Sequence, residues 1–487
     1  MHQGAILLIS CYELGHQPFH LASLTSMLQQ AGYQPRAVDT AVEMLTDEEI
    51  KAARFVGISV PMHTALRLGE QIAQRIRVIN ATAHICFYGL YALLNADHLL
   101  QSTIDSAIGG EYEVPLLKLI TALENDDHTP VPGVRTRVSK SGPWLQRTPF
   151  LVPERAQLPS LSKYARLEWN GKQSLAGYTE TTRGCKHTCL HCPVTPVYRG
   201  RFFAIPGEIV LADIRAQVAQ GARHITFGDP DFWNGPTHAL RITRAMHQEF
   251  PDLTFDATIK IEHLLRYRHL LPEMKELGCV FIVSAVESLN DTVLKHLHKG
   301  HTARDVAEAF ILLEQAGIVL RPSLLPFSPW ETLETYLELL NFFEAGHYIE
   351  QIDPVHLSIR LLIPPESALL DDADNHSWLG ELDATAYSYR WQPPDPRMDI
   401  LQQQVAELVA TAECGCTDAV QTFFEVKALA MAAHGEDFSI TNAMQNYGQR
   451  KIVPRLTESW FCCAEPTAIQ LSRSKKPHVK ARTLPVL

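Results

Sequence analysis

The chain has 487 residues, 46% hydrophobic and 20% charged, which is enough to bury two or three cores. Its net charge of −11 excludes a general nucleic-acid binder, and no apolar stretch reaches the length needed to cross a bilayer. Met1–Ser10 lacks the pattern of a secretory signal and ten cysteines in so long a chain make no disulfide framework, so the expected compartment is the cytoplasm.

In chain order, Ala5–Ser10 reads as a buried strand, Phe19–Ala31 as a helix stopped by Gly32, and Phe55–Val60 as a second strand. Leu66–Ile79 follows as a helix, then Ile85–Tyr88 and Ile104–Ile108 as strands. This alternation over residues 1–125 predicts a doubly wound parallel sheet with ligands at the carboxyl ends of its strands. Residues 126–173, rich in Pro, Ser and basic residues, read as a linker.

From Ser174–Glu180 onward the alternation resumes, with His224–Gly228, Thr254–Ile259, Cys279–Val286, Val319–Leu325 and Val355–Leu362 as strands separated by helical segments. These units occupy 174–385, and residues 386–487 turn helical, with Ile400–Ala412 and Ala419–Ala433 the best candidates. In a parallel βα arrangement of this kind, chemistry sits on the loops at the carboxyl ends of the strands.

The first such loop reads Arg183-Gly-Cys-Lys-His-Thr-Cys-Leu-His-Cys-Pro193. Cys185, Cys189 and Cys192 form a compact trio without a fourth thiolate, so a four-iron cluster held there keeps one iron open to another ligand. His187 or His191 could close a zinc site instead, although zinc ligands usually come as two separated pairs. The spacing resembles the C-x-x-x-C-x-aromatic-C signature of the radical S-adenosylmethionine (SAM) superfamily, with His191 where an aromatic residue is usual. The resemblance implies a partial (β/α)6 barrel, a [4Fe–4S] cluster on Cys185, Cys189 and Cys192, and SAM chelated by the open iron. It further implies reductive cleavage of SAM to a 5′-deoxyadenosyl radical, with a flavodoxin- or ferredoxin-type electron donor.

The other site residues come from position in the barrel. Gly228 and Asp229, in Phe227-Gly-Asp-Pro-Asp-Phe-Trp-Asn-Gly235, stand where the family contacts the SAM amino group, and a plain strand-to-loop turn is the competing reading. Glu287 and Ser288 resemble the family's Glu-Ser element facing the ribose or methionine end of SAM, against a helix-capping role for Ser288 or Asn290. Arg321 is expected to meet the SAM carboxylate or an anionic substrate, while Lys260 has Glu262 or Asp256 as competing partners. His224, His263, His296, His298 and His301 have no spacing that marks a metal site, and Cys414-Gly-Cys416 reads as a helix break with ordinary thiols.

The pieces Asp39, Val56-Gly-Ile-Ser59 and Gly109-Gly-Glu-Tyr-Glu113 resemble the cobalamin-binding-like domain that precedes many radical SAM cores. Relatives use that fold both with bound cobalamin and without it, and the D-x-H-x-x-G signature is absent here. The tail Cys462-Cys-Ala-Glu-Pro466 is similar to that of the CUAEP/CCAEP-tail radical SAM proteins, as are Gly228-Asp-Pro-Asp231, Lys299-Gly-His-Thr302 and Pro326-Phe-Ser-Pro-Trp330. The resemblance implies that Cys462 and Cys463 reach over the barrel mouth and act on the substrate, since a position accepting sulfur or selenium serves as nucleophile, redox partner or soft ligand. The expected function is radical modification of a small molecule. Two readings stay open beside it: transfer of the aminocarboxypropyl part of SAM to arsenic or selenium, and a non-enzymatic metal or metalloid sensor.

Overall fold

The computed structural model describes residues 5–371, 377–415, 417–448, 450–458, 464–466 and 470–471. They fall into two compact units, Met1–Lys163 with Glu465–Leu487, and Tyr164–Ala464. Cys416, Cys462 and Cys463 lie outside the described residues.

The first unit is built on β1 (Ile6–Ser10), β2 (Arg36–Asp39), β3 (Phe55–Ser59), β4 (His84–Tyr88), β5 (Ser106–Ile108) and β6 (Val134–Arg135). They lie in the order β2-β1-β3-β4-β5-β6, with β1 to β5 parallel and β6 antiparallel at the edge. β1 and β3 are buried at every position, which is why their sequences run apolar without alternation. The helix Phe19–Gln30 packs Leu21, Leu24 and Leu28 over Leu8 and Phe55, beside Leu116 and Ile120 of Glu113–Glu124. It ends where Gly32 adopts φ +87°, with Tyr33 N donating to the carbonyl of Leu28 (2.9 Å). The strand order reverses between β1 and β3, which opens a crevice at their carboxyl ends.

The second unit contains β7 (Arg166–Trp169), β8 (Lys172–Thr179), the short pair β9 (Thr182–Gly184) and β10 (Phe202–Ala204), β11 (His224–Phe227), β12 (Thr254–Thr258), β13 (Cys279–Glu287) and β14 (Val319–Leu324). A hairpin, β15 (Leu379–Asp383) and β16 (Ser388–Trp391), and β17 (Arg455–Leu456) follow. The main sheet runs β14-β13-β12-β11-β8-β7-β17, with the five strands from β8 to β14 parallel and curled into a half-barrel, and β7 and β17 antiparallel on its edge. The sixth strand candidate is the irregular one. Pro354–Leu357 is a 3₁₀ turn, and the segment forms an isolated parallel bridge, Arg360 to Phe327, just beyond the end of β14. Three helices close the unit, Arg397–Gly415, Ala419–His434 and Ile440–Tyr447.

Register aligns the ends of the strands: Thr179 lies opposite Phe227, Phe227 opposite Ala257, and Val283 opposite Arg321. The loops at 180–201, 228–235, 259–263 and 287–290 therefore leave from one edge. The loop after β11 is fastened from below, where Phe232 stacks on Phe227 (4.8 Å between centroids) and Phe227 meets Phe255 edge-on (5.6 Å). Such pairs add roughly 0.5–1.5 kcal/mol beyond their buried area.

Candidate metal and cofactor centre

β9 and β10 pair antiparallel, Gly184 opposite Phe202, so residues 185–201 form a loop closed at its base. Gly184 has φ +78°, and a Cβ there would lie 2.4 Å from the Tyr198 ring and 2.6 Å from the carbonyl oxygen of Arg201, so only glycine fits. Asn234, on the neighbouring loop, grips both sides of the first cysteine: its Nδ2 donates to the carbonyl of Gly184 (3.2 Å) and its Oδ1 accepts from Lys186 N (3.1 Å).

Inside the loop, the Cys189 carbonyl accepts from Cys192 N (3.2 Å) and from Thr195 Oγ1 (2.8 Å). Cys185, Cys189 and Cys192 are all free thiols. Burial pushes the thiols of Cys185 and Cys192 up to about 12, with Asp231 and Cys189 raising the first further and Cys189 and Cys185 the second. Metal binding to such thiols displaces their protons. Both histidines offered for a zinc site are turned to carboxylates: His187 Nε2 lies 3.2 Å from Asp231 and His191 Nε2 lies 3.2 Å from Glu287. Three soft, reduced thiols with neither histidine aimed among them fit an iron–sulfur cluster with an open iron better than a closed zinc site.

Glu287 sits on this loop's far side. A bulge in β13 gives it φ +64°, and its buried carboxylate accepts from Lys299 Nζ (3.1 Å) beside His191. Burial opposes its ionisation, yet Lys299 and His191 together hold it well below the usual carboxylate range. Lys299, itself fully buried, faces Cys189 and Cys192 as well as Glu287.

The remaining expected contacts have protein partners. Asp229 is buried and spans the start of the cysteine loop: it accepts from Thr181 N (2.9 Å), Thr181 Oγ1 (2.7 Å) and Thr182 Oγ1 (2.7 Å). Gly228 is required by Tyr178, whose hydroxyl would lie 1.8 Å from any Cβ there. Ser288 Oγ contacts Glu331 (3.2 Å) and accepts from Asn290 N (2.9 Å), while Asn290 caps the following helix through Thr292 N. Arg321 pairs with Asp353 and donates to the carbonyl of Pro454, so its charge is neutralised within the protein. Lys260 bonds Glu262 (3.1 Å), and Asp256 holds His224 (2.7 Å) and Thr226 (2.7 Å).

The partners of Lys299 and Glu331 and the grouping of His187, Asp231 and His263 carry no signal in the sequence. Lys299 lies in a motif that also caps the helix Ala303–Gln315 through Thr302, and a lone Lys in such a turn carries no periodic signal. Glu331 is pushed up to about 8 by burial, against hydrogen bonds from Ser288 and Asn290. A carboxyl raised in the folded state stabilises fully below its unfolded value of 4.5, and that contribution is lost as pH rises toward 8. The Glu331→Gln chain is therefore expected to gain about 4 kcal/mol on the native chain between pH 5 and pH 9, read from denaturant unfolding at both pH values.

In the first unit, the carboxyl ends of β1, β3 and β4 carry buried Ser10, Glu13, Ser59 and Tyr88. Ser10 Oγ and Glu13 Oε1 have no hydrogen-bonding partner among the described residues, while Glu13 Oε2 accepts from Phe19 N (3.0 Å). The helix that follows β3, His63–Ile79, receives the tail: Glu465 lies 2.9 Å from His63 Nε2 and 3.2 Å from Arg67 Nε.

Residues 179–343 match the profile of the Radical SAM superfamily. Over 400 residues the chain is 23% identical to the anaerobic magnesium-protoporphyrin IX monomethyl ester cyclase of Synechocystis sp., covering 77% of this chain and 76% of that protein. It is 28% identical over 203 residues to the ribosomal protein uS12 methylthiotransferase RimO of Geobacter sulfurreducens, 37% of this chain and only 42% of the relative. Among solved structures, it resembles the cobalamin-dependent S-adenosylmethionine radical enzyme OxsB with aqua-cobalamin and S-adenosylmethionine bound, with TM-score 0.67 and 14% identity over 91% of this chain and 71% of that one. The radical S-adenosylmethionine methyltransferase TsrM of Kitasatospora setae, with cobalamin and [4Fe-4S] cluster bound, matches at TM-score 0.55 and 19% identity over 71% and 70%.

Proposed function

We propose that this radical SAM enzyme holds its [4Fe–4S] cluster through Cys185, Cys189 and Cys192 and uses SAM-derived radical chemistry to modify a small molecule. The observation that carries the assignment is the trio itself: three reduced thiols in one pinned loop, leaving the end of the first parallel strand of the half-barrel. A bound cluster of this class supplies the electron that splits SAM. The protein's part is to keep the loop rigid, through Asp229 and Asn234, and to exclude water around it. Glu287 and Lys299 set the charge beside the thiols, and Gly228 and Asp229 shape the neighbouring loop that SAM would meet. Anaerobic reconstitution, followed by SAM and dithionite, is expected to yield 5′-deoxyadenosine and methionine. Methylthioadenosine instead would favour aminocarboxypropyl transfer, and an intact cluster without any SAM fragment would refute the reading.

The first unit is proposed to bind cobalamin at the carboxyl edge of β1 and β3. Support comes from the cobalamin-holding structural relatives and from the buried, unsatisfied Ser10 Oγ and Glu13 Oε1 at that edge. Reconstitution with hydroxocobalamin is expected to leave about one corrinoid per chain after desalting, read by visible absorbance; a chain that retains none lacks this function. The Cys462–Cys463 pair is proposed to act on the substrate, on the resemblance of Cys462-Cys-Ala-Glu-Pro466 to the tail of the CUAEP/CCAEP-tail radical SAM proteins. Full turnover by a Cys463→Ala chain would remove that role. The sensor reading predicts metalloid binding without SAM turnover and fails with the same cleavage assay.

A further inference from the structure

Behind the cysteine loop lies a second group of potential ligands. His187 comes from the loop itself, Asp231 from the loop after β11, and His263 from the turn after β12, 44 and 32 residues apart or more in sequence. Their atoms Nε2, Oδ2 and Nδ1 all fall within 4.8 Å of one another. Asp231 Oδ2 is 2.6 Å from His263 Nδ1 and 3.2 Å from His187 Nε2, and the two rings are tilted 57° with centroids 4.6 Å apart. Asp231 and His263 are each 1% exposed. Despite these distances, none of the three atoms has a hydrogen bond of acceptable angle. Three potential ligand atoms from three separate segments are thus gathered in one small, largely buried volume.

We propose that His187, Asp231 and His263 form a mononuclear site for a first-row divalent cation, separate from the cysteine cluster. Two imidazoles and one carboxylate are the donor set of non-haem iron(II) centres and, with one place left open, of zinc centres. The surroundings suit a ligand role. Asp231 Oδ1 accepts from Trp233 N (3.1 Å), which fixes the carboxylate and leaves Oδ2 turned toward the two rings. The outer nitrogen of His187 faces Glu262 Oε2 at 3.9 Å, with Lys260 Nζ 3.3 Å from that nitrogen and 3.1 Å from Glu262. Binding through Nε2 requires a proton on Nδ1. In the structure Nδ1 instead faces the Lys260 ammonium (3.3 Å), so binding through Nε2 requires Lys260 to withdraw onto Glu262 and the Glu262 carboxylate to close from 3.9 Å onto the Nδ1 proton, the carboxylate–histidine pairing that fixes ligating rings.

A purely hydrogen-bonded strut is the competing arrangement, with Lys260 donating to His187 Nδ1 and both rings donating to Asp231. It predicts no uptake of metal. The test uses full-length protein already loaded with its [4Fe–4S] cluster, so that the cysteines are occupied, and zinc(II) alone as the probe. After desalting, elemental analysis is expected to show one zinc per chain in addition to cluster iron, with a nitrogen and oxygen shell in zinc X-ray absorption. The His263→Gln and Asp231→Asn chains are expected to lose at least ten-fold of that zinc occupancy with cluster iron unchanged. Without added zinc, one non-cluster iron(II) per chain in the native protein and none in the variants identifies iron as the resident ion and supports the same site. No zinc retained by the native chain, a sulfur shell around it, or equal retention by His263→Gln overturns the proposal. Should the variants misfold, the coordination shell of the native chain decides alone. These readouts do not depend on SAM cleavage, so failure of the site is distinct from failure of the proposed function.

Discussion

A Cys189→Ala chain reconstituted anaerobically is expected to carry no four-iron cluster and to lose SAM cleavage by at least about 100-fold, beyond the 10–100-fold typical of losing an outer partner of a metal ligand. Cys189 is the most buried of the three thiols, and its carbonyl receives both Cys192 N and Thr195 Oγ1. Those two bonds are made by the backbone, so alanine leaves the turn intact and removes only the sulfur. Iron and sulfide analysis together with circular dichroism checks the expectation: the fold is retained and the iron is lost. Normal iron content in Cys189→Ala would detach this trio from the cluster.

At Lys299, substitution by methionine is expected to cost about 3–5 kcal/mol, because it strands the Glu287 carboxylate in the interior. Glu287 is held at φ +64°, which costs of order 1 kcal/mol, and Lys299 and His191 are what keep it charged there. Glu287→Gln combined with Lys299→Met is expected to recover most of that loss, since no unpaired charge remains. The ammonium also faces Cys189 and Cys192, so its removal is expected to lower the cluster's reduction potential, read by electron paramagnetic resonance during a redox titration. A potential that stays put in the folded single variant would confine Lys299 to holding Glu287.

The parts of this protein that could be read directly were those governed by short-range pattern. β1 and β3 are buried on both faces and show as unbroken apolar runs, whereas β2, with only Ala37 and Val38 apolar, escaped notice. β6, β7 and β17 escaped for a different reason. They are short strands of two to four residues at or next to a sheet edge, and two of them lie inside a stretch whose prolines and serines read as a linker. Val355–Leu362 has strand composition, but Pro354 opens a 3₁₀ turn there and Arg360 makes only an isolated bridge to Phe327 beyond β14. At the site, position was legible where partner was not. Asp229 follows β11 and Arg321 lies within β14, yet their charges meet Thr181 and Thr182, 48 and 47 residues away, and Asp353, 32 away.

By itself, the sequence placed three thiols within eight residues of one loop, because such spacing is a local property of the chain. It also determined the two runs of alternating strand and helix, because burial on both faces of a parallel sheet leaves its mark on each strand separately. Only the tertiary structure decided which charges neutralise one another. Glu287 reaches Lys299 and His191, 12 and 96 residues away, and Asp231 reaches His187 and His263 from separate loops. A buried charge must find its counter-charge through space, and the loops that leave one edge of the half-barrel bring together residues that no sequence spacing relates.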